Sequence, residues 1–287
     1  MTHRIGIIGG SGLYELPGIS SLREVEVETP FGAPSDALMV GELDGVELVF
    51  LPRHGRGHRL LPTEVPYRAN LWAMKSLGVG WVISVSAVGS LREDIEPGHA
   101  VLIDQFIDRT QGRPSTFFGE GIVAHVAFGD PVCATLQAIL REALAEAEVE
   151  HHVGGTYVCM EGPAFSTRAE SELYRSWGAS VVGMTNLPEA KLAREASLSY
   201  ATIAFATDYD CWHTGHDDVT VDQVIAVLMA NVDKARRALT LAVPRIAAHP
   251  GPPPHHDALR NAILTPLDGI PDSARERLGP LLEPYLP

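Results

Sequence analysis

Cysteine is scarce in this chain of 287 residues, which has three, Cys133, Cys159 and Cys211, far apart and without a C-x-x-C pair. That pattern argues against a disulfide framework and a zinc ribbon, and it favours reduced, buried thiols. No apolar stretch reaches the roughly 18 uninterrupted residues of a transmembrane helix. The N-terminal segment runs directly into an apolar strand candidate and shows no signal-peptide cleavage region. We therefore predict a cytoplasmic protein without a membrane partner.

Basic residues are also in short supply. The 22 Lys and Arg residues stand against 36 Asp and Glu, which gives a formal net charge of −14 at pH 7. A nucleic acid or an anionic membrane normally requires a basic face, so neither is expected as a partner. Small anionic ligands remain open, because local groups outweigh the net charge inside a cleft. With 45% hydrophobic residues, the chain can bury a sizeable core.

Apolar runs of four to seven residues alternate along the chain with longer stretches of helical periodicity. The strand candidates are residues 5–8, 46–51, 81–85, 100–103, 157–160, 180–182 and 200–206. The helix candidates are residues 67–77, 132–149 and a stretch from near Thr220 towards Leu241, where Thr220-x-x-Gln223 resembles a capping box. This alternation predicts an α/β fold, a three-layer αβα sandwich around a central mixed sheet that is largely parallel.

The composition changes at His249. Nine of the 21 prolines lie between Pro250 and Pro287. We therefore predict a single domain over residues 1–248 and a proline-rich C-terminal tail over residues 249–287. The tail is expected to wrap over the body or a neighbouring subunit, with short helical turns at 257–264 and 273–282, and a disordered tail is the alternative.

Groups that suit an anion follow three of the predicted strands. Gly9-Gly10-Ser11-Gly12 offers backbone N–H groups and a hydroxyl after the first strand. The stretch RHGRGH, from Arg53 to His58, follows the second, and its arginine and histidine side chains can donate to phosphate oxygens. Ser86 and the amide of Ala87 come at the end of the third. Each segment alone also fits an ordinary turn or a solvated basic loop, but together they predict a phosphate-sized anion and no metal.

Two later segments carry further candidate functional groups. Asn186 and Glu189, with Pro188 between them, resemble a helix start, which places Met184 and Thr185 just before a helix N-terminus. Met184 also fits simple core packing.

Asp208 and Asp210 follow the strand at 200–206 and should project to the same side of an extended segment. Aromatic neighbours that exclude water can raise a carboxyl pKa and make the carboxyl a proton donor. Solvated turn aspartates are the alternative.

Eight segments, in this order, carry a resemblance to a known family: IGIIGGSGLY, TPFGAPSDAL, RHGRGH, SLREDIEPG, IDQFIDRTQGRPSTFF, EGPAFSTRAE, MTNLPEAKLAREA and ATDYDCWH. The chain resembles the 5'-methylthioadenosine phosphorylases of the trimeric purine nucleoside phosphorylase superfamily, and the match runs from Arg4 to about Ala247. The resemblance implies a nucleoside phosphorylase/hydrolase-like fold. It also implies phosphorolysis of S-methyl-5'-thioadenosine in a homotrimer, with inorganic phosphate as co-substrate and no cofactor. The proline-rich tail beyond Pro250 lies outside the resemblance.

The resemblance also implies roles for individual positions. Phosphate contacts are implied for Ser11, Arg53, His54, Ser86, Ala87 and Thr185. Contacts to the nucleoside are implied for Phe165 and Met184 at the sugar and for Asp208 and Asp210 at adenine, with the aspartates as the catalytic pair. Specificity is implied for Ser166, Val221, Val224 and Ile225, and His125 is implied to enter the neighbouring subunit's site.

The sequence departs from the family pattern at Ala164, where arginine is common, and at Asn186, where threonine can stand. Neither position is expected to contact the substrate, so these departures leave the implied chemistry in place. The alternatives are a 6-oxopurine or general purine nucleoside phosphorylase, a nucleosidase that uses water, and a ligand-binding protein without activity.

Overall fold

The structure is a computed structural model that describes residues 3–213 and 221–286, without the side chains of Ser11, residues 221–226 and Leu228. The described residues form eleven strands and six α-helices. The strands are β1 (Arg4–Gly9), β2 (Ser20–Val25), β3 (Leu38–Leu43), β4 (Val46–Pro52), β5 (Trp81–Ser90), β6 (Ala100–Leu102), β7 (Gln105–Arg109), β8 (His151–Val153), β9 (Thr156–Met160), β10 (Val181–Gly183) and β11 (Ser199–Asp208). The helices are α1 (Tyr67–Ser76), α2 (Ala134–Glu146), α3 (Arg168–Ser176), α4 (Glu189–Glu195), α5 (Val221–Ala247) and α6 (Asp272–Leu278).

Strand β5 is the centre of the sheet. It pairs in parallel with β1 on one side and with β11 on the other, and its last residues pair antiparallel with β10. The order β2-β3-β4-β1-β5-β10-β9-β7 forms one path, while β11 joins β5 to β6 and β6 pairs with β8. β1 and β11 are almost wholly buried and apolar, as expected for parallel strands covered on both faces.

Helices cover both faces of this mixed sheet, with α1 packed on α4 and α2 packed on α5. The prediction of a three-layer αβα sandwich with a central mixed sheet is therefore confirmed. The predicted strands and helices outside the tail all occur, with shifted ends. Because β1, β4, β5 and β11 run parallel to one another, their carboxyl ends meet at one edge of the sheet. That edge is where open α/β sheets bind ligands.

Several elements were not predicted from the sequence. The short or exposed strands β2, β7 and β8 lack a strong apolar run, and β3 was missed although it is mostly buried. Helix α3 was also missed, although Thr167 and Glu170 form a reciprocal capping box at its start. The helix start predicted from Asn186 and Glu189 is confirmed, but Asn186 does not cap the helix. Helix α4 begins at Glu189 without a side-chain cap, and the Asn186 side chain is instead buried and bonded to Tyr200, Thr202 and Ser84. Thr220, the other predicted cap, lies outside the described residues.

The proline-rich tail packs on the body. Leu259, Leu278 and Leu281 are buried in the main core, and the indole Nε1–H of Trp72 donates to the carbonyl oxygen of Leu278 at 3.2 Å. Turns occupy much of the region predicted at 257–264, and α6 begins one residue before the turn predicted at 273–282. The division into a domain of residues 1–248 and a tail of residues 249–287 stays a prediction. None of the helices among the described residues is long and apolar enough to cross a membrane.

The packing of the tail predicts a measurable contribution to stability. Leu278 has no exposed surface, so Leu278→Ala leaves a cavity and should lower the free energy of unfolding by about 3 kcal/mol. Leu267→Ala is the matched control, because that tail side chain is 37% exposed and its loss should cost less than about 1 kcal/mol. Chemical denaturation followed by fluorescence measures both. Equal, small losses for the two variants would contradict a docked tail.

Candidate active site

A cavity of about 330 Å³ opens at the carboxyl ends of the parallel strands. It collects side chains and backbone from segments that are far apart in the sequence. Its lining includes Gly9 and Gly10 after β1, Arg53 and His54 after β4, residues 85–89 of β5, residues 182–185 at the end of β10, and Asp208 and Asp210 at the end of β11. The topology therefore brings together the strand-end groups that the sequence singled out.

One end of the cavity carries hydrogen-bond donors. Ser86 Oγ is buried and has no hydrogen-bond partner among the described residues, and Ala87, Thr185 and the backbone of Gly9 and Gly10 line the same cavity. A buried hydroxyl without a partner is costly unless a ligand or water completes it. Ser86 Oγ is therefore available to a ligand or a water in the cavity.

Arg53 lies beneath this end and is held by a buried ion pair. Its Nε and Nη2 donate to the two carboxylate oxygens of Glu189 at 2.7 and 3.0 Å, and both side chains are at most 3% exposed. Nη2 also donates to Ser84 Oγ at 2.6 Å, and Nη1 donates to the carbonyl oxygen of Val85 at 3.1 Å. Burial alone would lower the pKa of Arg53, but the Glu189 carboxylate outweighs burial and raises it. Arg53 is therefore a fixed cation with a fixed counter-charge.

Only part of the Arg53 guanidinium is available to a ligand. Of its five N–H groups, these bonds use Nε–H, both hydrogens of Nη2 and one of Nη1. One Nη1–H remains for the cavity that Arg53 lines. Arg53 therefore has no second N–H for a bidentate contact to an anion, because Glu189 already accepts from Nε and Nη2.

His54 is held in one orientation by the turn that follows it. Its Nδ1 lies 2.8 Å from the carbonyl oxygen of Leu60, so Nδ1 carries a hydrogen and donates it. The ring stacks on His58 with centroids 4.3 Å apart. Burial lowers the pKa of His54 to about 4, and the charges of Arg53 and His58 act in the same direction, while the bond to Leu60 opposes them. His54 is therefore neutral near pH 7, and Nε2 is its remaining ring nitrogen.

The other end of the cavity is acidic. The Thr207 hydroxyl donates to Asp208 Oδ2 and the Asp210 amide donates to Asp208 Oδ1, both at 2.7 Å. Burial raises the pKa of Asp208 against these two bonds. Burial also raises the pKa of Asp210; the nearby Ser171 opposes this effect and the charge of Asp208 adds to it. Asp210 Oδ2 is buried without a partner among the described residues, so this end too is prepared for a polar ligand.

The backbone conformation that places Asp210 in the cavity differs from the one that the sequence predicted. We expected Asp208 and Asp210 on one side of an extended segment, but Asp210 has a left-handed backbone with φ of 50°. The approach depends on Gly89, because a Cβ there would lie 3.1 Å from Asp208 Oδ1 and 3.2 Å from Asp210 Cβ. The pair is therefore assembled by a turn against a glycine and not by strand alternation.

Apolar side chains also line the cavity. Met184 and Phe165 are part of the lining. The carbonyl oxygen of Met184 accepts a hydrogen bond from Arg113 Nη1 at 2.7 Å, and Arg113 also forms an ion pair with Glu161 at 3.0 Å. Phe165 is 57% exposed, which places its ring at the open side of the cavity.

The structure does not bring every predicted residue into this cavity. Ser166 is buried next to the cavity and its Oγ donates to the sulfur of Met160 at 3.5 Å, but Ser166 is not part of the lining. His125 is exposed on a segment whose neighbour Ala124 pairs with Ile263 of the tail, away from the lining residues. The side chains of Ser11, Val221, Val224 and Ile225 lie outside the described residues.

The sequence analysis did not predict some of the residues that line or support the cavity. Met160 ends β9, so the strand-end rule could have found it, whereas His58 was noted only as part of a basic loop. Asn231 and Val232 reach the cavity from α5, and a helical stretch gave no signal for them. Glu189 was interpreted as a helix-start residue, and only the fold shows that its carboxylate meets Arg53.

Comparisons with known proteins place this cavity in a family context. The family model of the phosphorylase superfamily matches residues 4–244. The S-methyl-5'-thioadenosine phosphorylase of Geobacter sulfurreducens is 61% identical over 287 residues, which is 100% of both chains. That of Thermosynechococcus vestitus is 57% identical over 289 aligned residues, again 100% of both chains. Similarity therefore extends through the tail, and the expectation that it would end near Pro250 was wrong.

Solved structures of methylthioadenosine phosphorylases are also similar to this chain. A methylthioadenosine phosphorylase from an antarctic soil metagenomic library superposes with a TM-score of 0.94 at 50% identity and covers 98% of this chain and 99% of its own. The methylthioadenosine phosphorylase of Schistosoma mansoni in complex with adenine has a TM-score of 0.83 at 40% identity and covers 87% and 93% of the two chains.

The surroundings of His54 predict a specific titration. We expect its imidazole to stay neutral, with the hydrogen on Nδ1, as the pH falls from about 8 to about 5, and to take up a second proton only near pH 4. NMR of selectively labelled histidine measures this, with His54→Gln to assign the signal. A His54 signal that titrates near its ordinary value of about 6.5 would contradict the buried, Leu60-bonded ring.

Proposed function

The chain belongs to the phosphorylase superfamily, and from that premise we propose that it cleaves S-methyl-5'-thioadenosine with inorganic phosphate. The products are adenine and S-methyl-5-thio-α-D-ribose 1-phosphate, which makes the protein a pentosyltransferase of purine and methionine salvage. The observation that carries the proposal is the cavity itself. It has anion donors at one end, two buried carboxyls at the other and apolar side chains along its lining.

The phosphate occupies the donor end. Ser86 Oγ supplies the hydroxyl that has no protein partner among the described residues, Arg53 supplies the remaining Nη1–H, and His54, Ala87 and Thr185 complete the contacts. Ser11 follows the glycine turn and belongs to the same proposed set. These groups hold the anion on one face of the sugar, and catalysis here is positioning together with stabilisation of charge.

The adenine occupies the acidic end. The C1'–N9 bond breaks ahead of formation of the C1'–O bond to phosphate, so the sugar becomes cationic and the base accumulates negative charge. Asp208, whose pKa is raised by burial, is protonated in the complex and donates to N7 of the purine. Asp210, with its unpartnered Oδ2, accepts from the 6-amino group. A carboxylate acceptor reads an amino group, which favours adenine over 6-oxopurines.

The sugar lies between the two ends. Met184 packs against the ribose and Phe165 stacks near the base and sugar from the open side. Val221, Val224 and Ile225 are proposed to lie at the 5' substituent, Ser166 is proposed to contribute to substrate specificity, and His125 is proposed to enter the site of a neighbouring subunit. Completing the site in this way requires an oligomer, and we propose a homotrimer, a cytoplasmic location and a reaction without a cofactor or metal.

One assay separates this function from its rivals. Adenine release from methylthioadenosine, followed by chromatography, should require inorganic phosphate and yield one sugar phosphate per adenine. Release that is independent of phosphate would identify a nucleosidase that uses water. Faster turnover of inosine than of methylthioadenosine would identify a 6-oxopurine enzyme. No release with either nucleoside, while the nucleoside still binds, would identify a binding protein without activity.

The aspartate end predicts a change in base preference. Asp208→Asn removes a carboxyl that can carry the N7 proton, so kcat/KM for methylthioadenosine should fall by about 10² or more, and the ratio of inosine to adenosine turnover should rise. Asp44→Asn is the matched control, because Asp44 is an exposed turn residue with φ of 50°, which asparagine tolerates. Steady-state rates on the three nucleosides measure the effect. Unchanged turnover of adenosine-type substrates in Asp208→Asn would refute this assignment.

A further inference from the structure

The donor end of the cavity contains little uncompensated positive charge. Among the described lining residues, Arg53 is the one permanent cation, and Glu189 neutralises it through two hydrogen bonds inside the protein. The remaining donors are a hydroxyl, backbone N–H groups and a neutral imidazole. Yet near pH 8 inorganic phosphate is a dianion, and the protein as a whole carries a formal net charge of −14 at pH 7. A dianion in a partly buried site needs a compensating charge.

His54 is the group that can supply it. Because Nδ1–H is committed to the carbonyl oxygen of Leu60 at 2.8 Å, the neutral ring offers an acceptor at Nε2 and not a donor. The one P–O–H of the dianion can donate to Nε2, but that bond leaves both negative charges of phosphate beside a neutralised Arg53. A second proton, shared between a phosphate oxygen and Nε2, keeps the hydrogen bond and removes one of these charges.

We propose that phosphate binds together with one extra proton, held between Nε2 of His54 and a phosphate oxygen. The inference rests on the proposed function, since it assumes that the donor end takes phosphate. Two descriptions of the bound state contain the same number of protons: the phosphate monoanion beside neutral His54, and the dianion beside the His54 imidazolium. Either way, the complex holds one proton more than the free protein and the free dianion.

The charged groups around His54 restrict where this proton resides. Arg53 precedes it in the same turn, His58 stacks on it, and Glu189 faces it from α4. Arg53 and Glu189 are locked in their pair, and His58 is exposed. Asp208 and Asp210 face the same cavity from its other end, so variants of both His58 and Asp208 are needed to assign the proton.

The extra proton leaves the overall reaction balanced. When the dianion attacks C1', the proton that it carried in solution ends on the released adenine, and the sugar phosphate leaves as a dianion. The additional proton on the His54–phosphate pair is returned to solvent when that product dissociates. The additional proton therefore affects only the binding of phosphate, and the affinity for phosphate falls as the pH rises.

Calorimetric titration with inorganic phosphate tests this directly. At about pH 8, in two buffers with different ionisation enthalpies, the buffer dependence of the heat should give an uptake of about one proton per phosphate bound. Between about pH 7.5 and 9, the apparent Kd, and the KM for phosphate, should rise about tenfold per pH unit beyond any change caused by the nucleoside. Binding without proton uptake, with a Kd that is flat in this range, would overturn the proposal.

Variants assign the proton to His54. His54→Gln offers an N–H donor without taking up a proton, so uptake should fall to about zero and the rise of Kd with pH should disappear. His58→Asn, which suits the left-handed φ of 52° at that position, and Asp208→Asn should each keep the uptake near one. Loss of uptake in either of these two, with retention in His54→Gln, would overturn the assignment. If His54→Gln does not fold, the uptake in His58→Asn and Asp208→Asn and the pH dependence in the unaltered protein still decide the question.

The two proposals fail in different ways. If adenine release depends on phosphate but binding takes up no proton, the proposed function stands and this inference fails. If adenine release does not depend on phosphate, the proposed function fails, whatever the calorimetry shows. Both measurements use the same full-length protein.

Discussion

The buried pair of Arg53 and Glu189 is the interaction on which the donor end of the cavity depends. It joins the turn after β4 to the start of α4, and the same carboxylate accepts from Ser84 of β5 and Tyr200 of β11 at 2.8 and 2.9 Å. Four segments are thus tied at one point beneath the cavity floor. Removing one member of such a pair leaves a buried charge uncompensated, which typically costs about 3–5 kcal/mol. The ion pair holds the Arg53 side chain in place, and it also neutralises the charge of that side chain.

The Arg53–Glu189 ion pair also determines which groups are available to an anion in the cavity. Because Glu189 neutralises Arg53, the guanidinium contributes direction and one free N–H, while hydroxyl and backbone donors do most of the solvation of an anion. At the other end, burial raises the pKa of both carboxyls, which favours the protonated form that can donate to a leaving base.

The sequence predicted the residues whose positions follow from strand ends, and it missed those that depend on three-dimensional neighbours. Asp208 could be found because parallel strands end at a common edge. Ser86 was expected at a strand end although β5 continues to Ser90, and Thr185 follows β10, which runs antiparallel to β5. The buried contacts of Asn186 and Glu189 could not be predicted, since their spacing indicates only a helix start, while their partners lie in the turn after β4 and on strands β5 and β11. His125 was inferred from resemblance alone, and the fold of a single chain places it on the surface beside the tail, not in the cavity.

The central claim is that one cavity holds phosphate at the Arg53 end and adenine at the aspartate end. A crystal structure with phosphate and a non-cleavable methylthioadenosine analogue tests it most directly. The account predicts phosphate within hydrogen-bond distance of Ser86 Oγ, Arg53 Nη1 and His54 Nε2, and the purine N7 and amino group against Asp208 and Asp210. Phosphate bound elsewhere, or a base that points away from both aspartates, would contradict it.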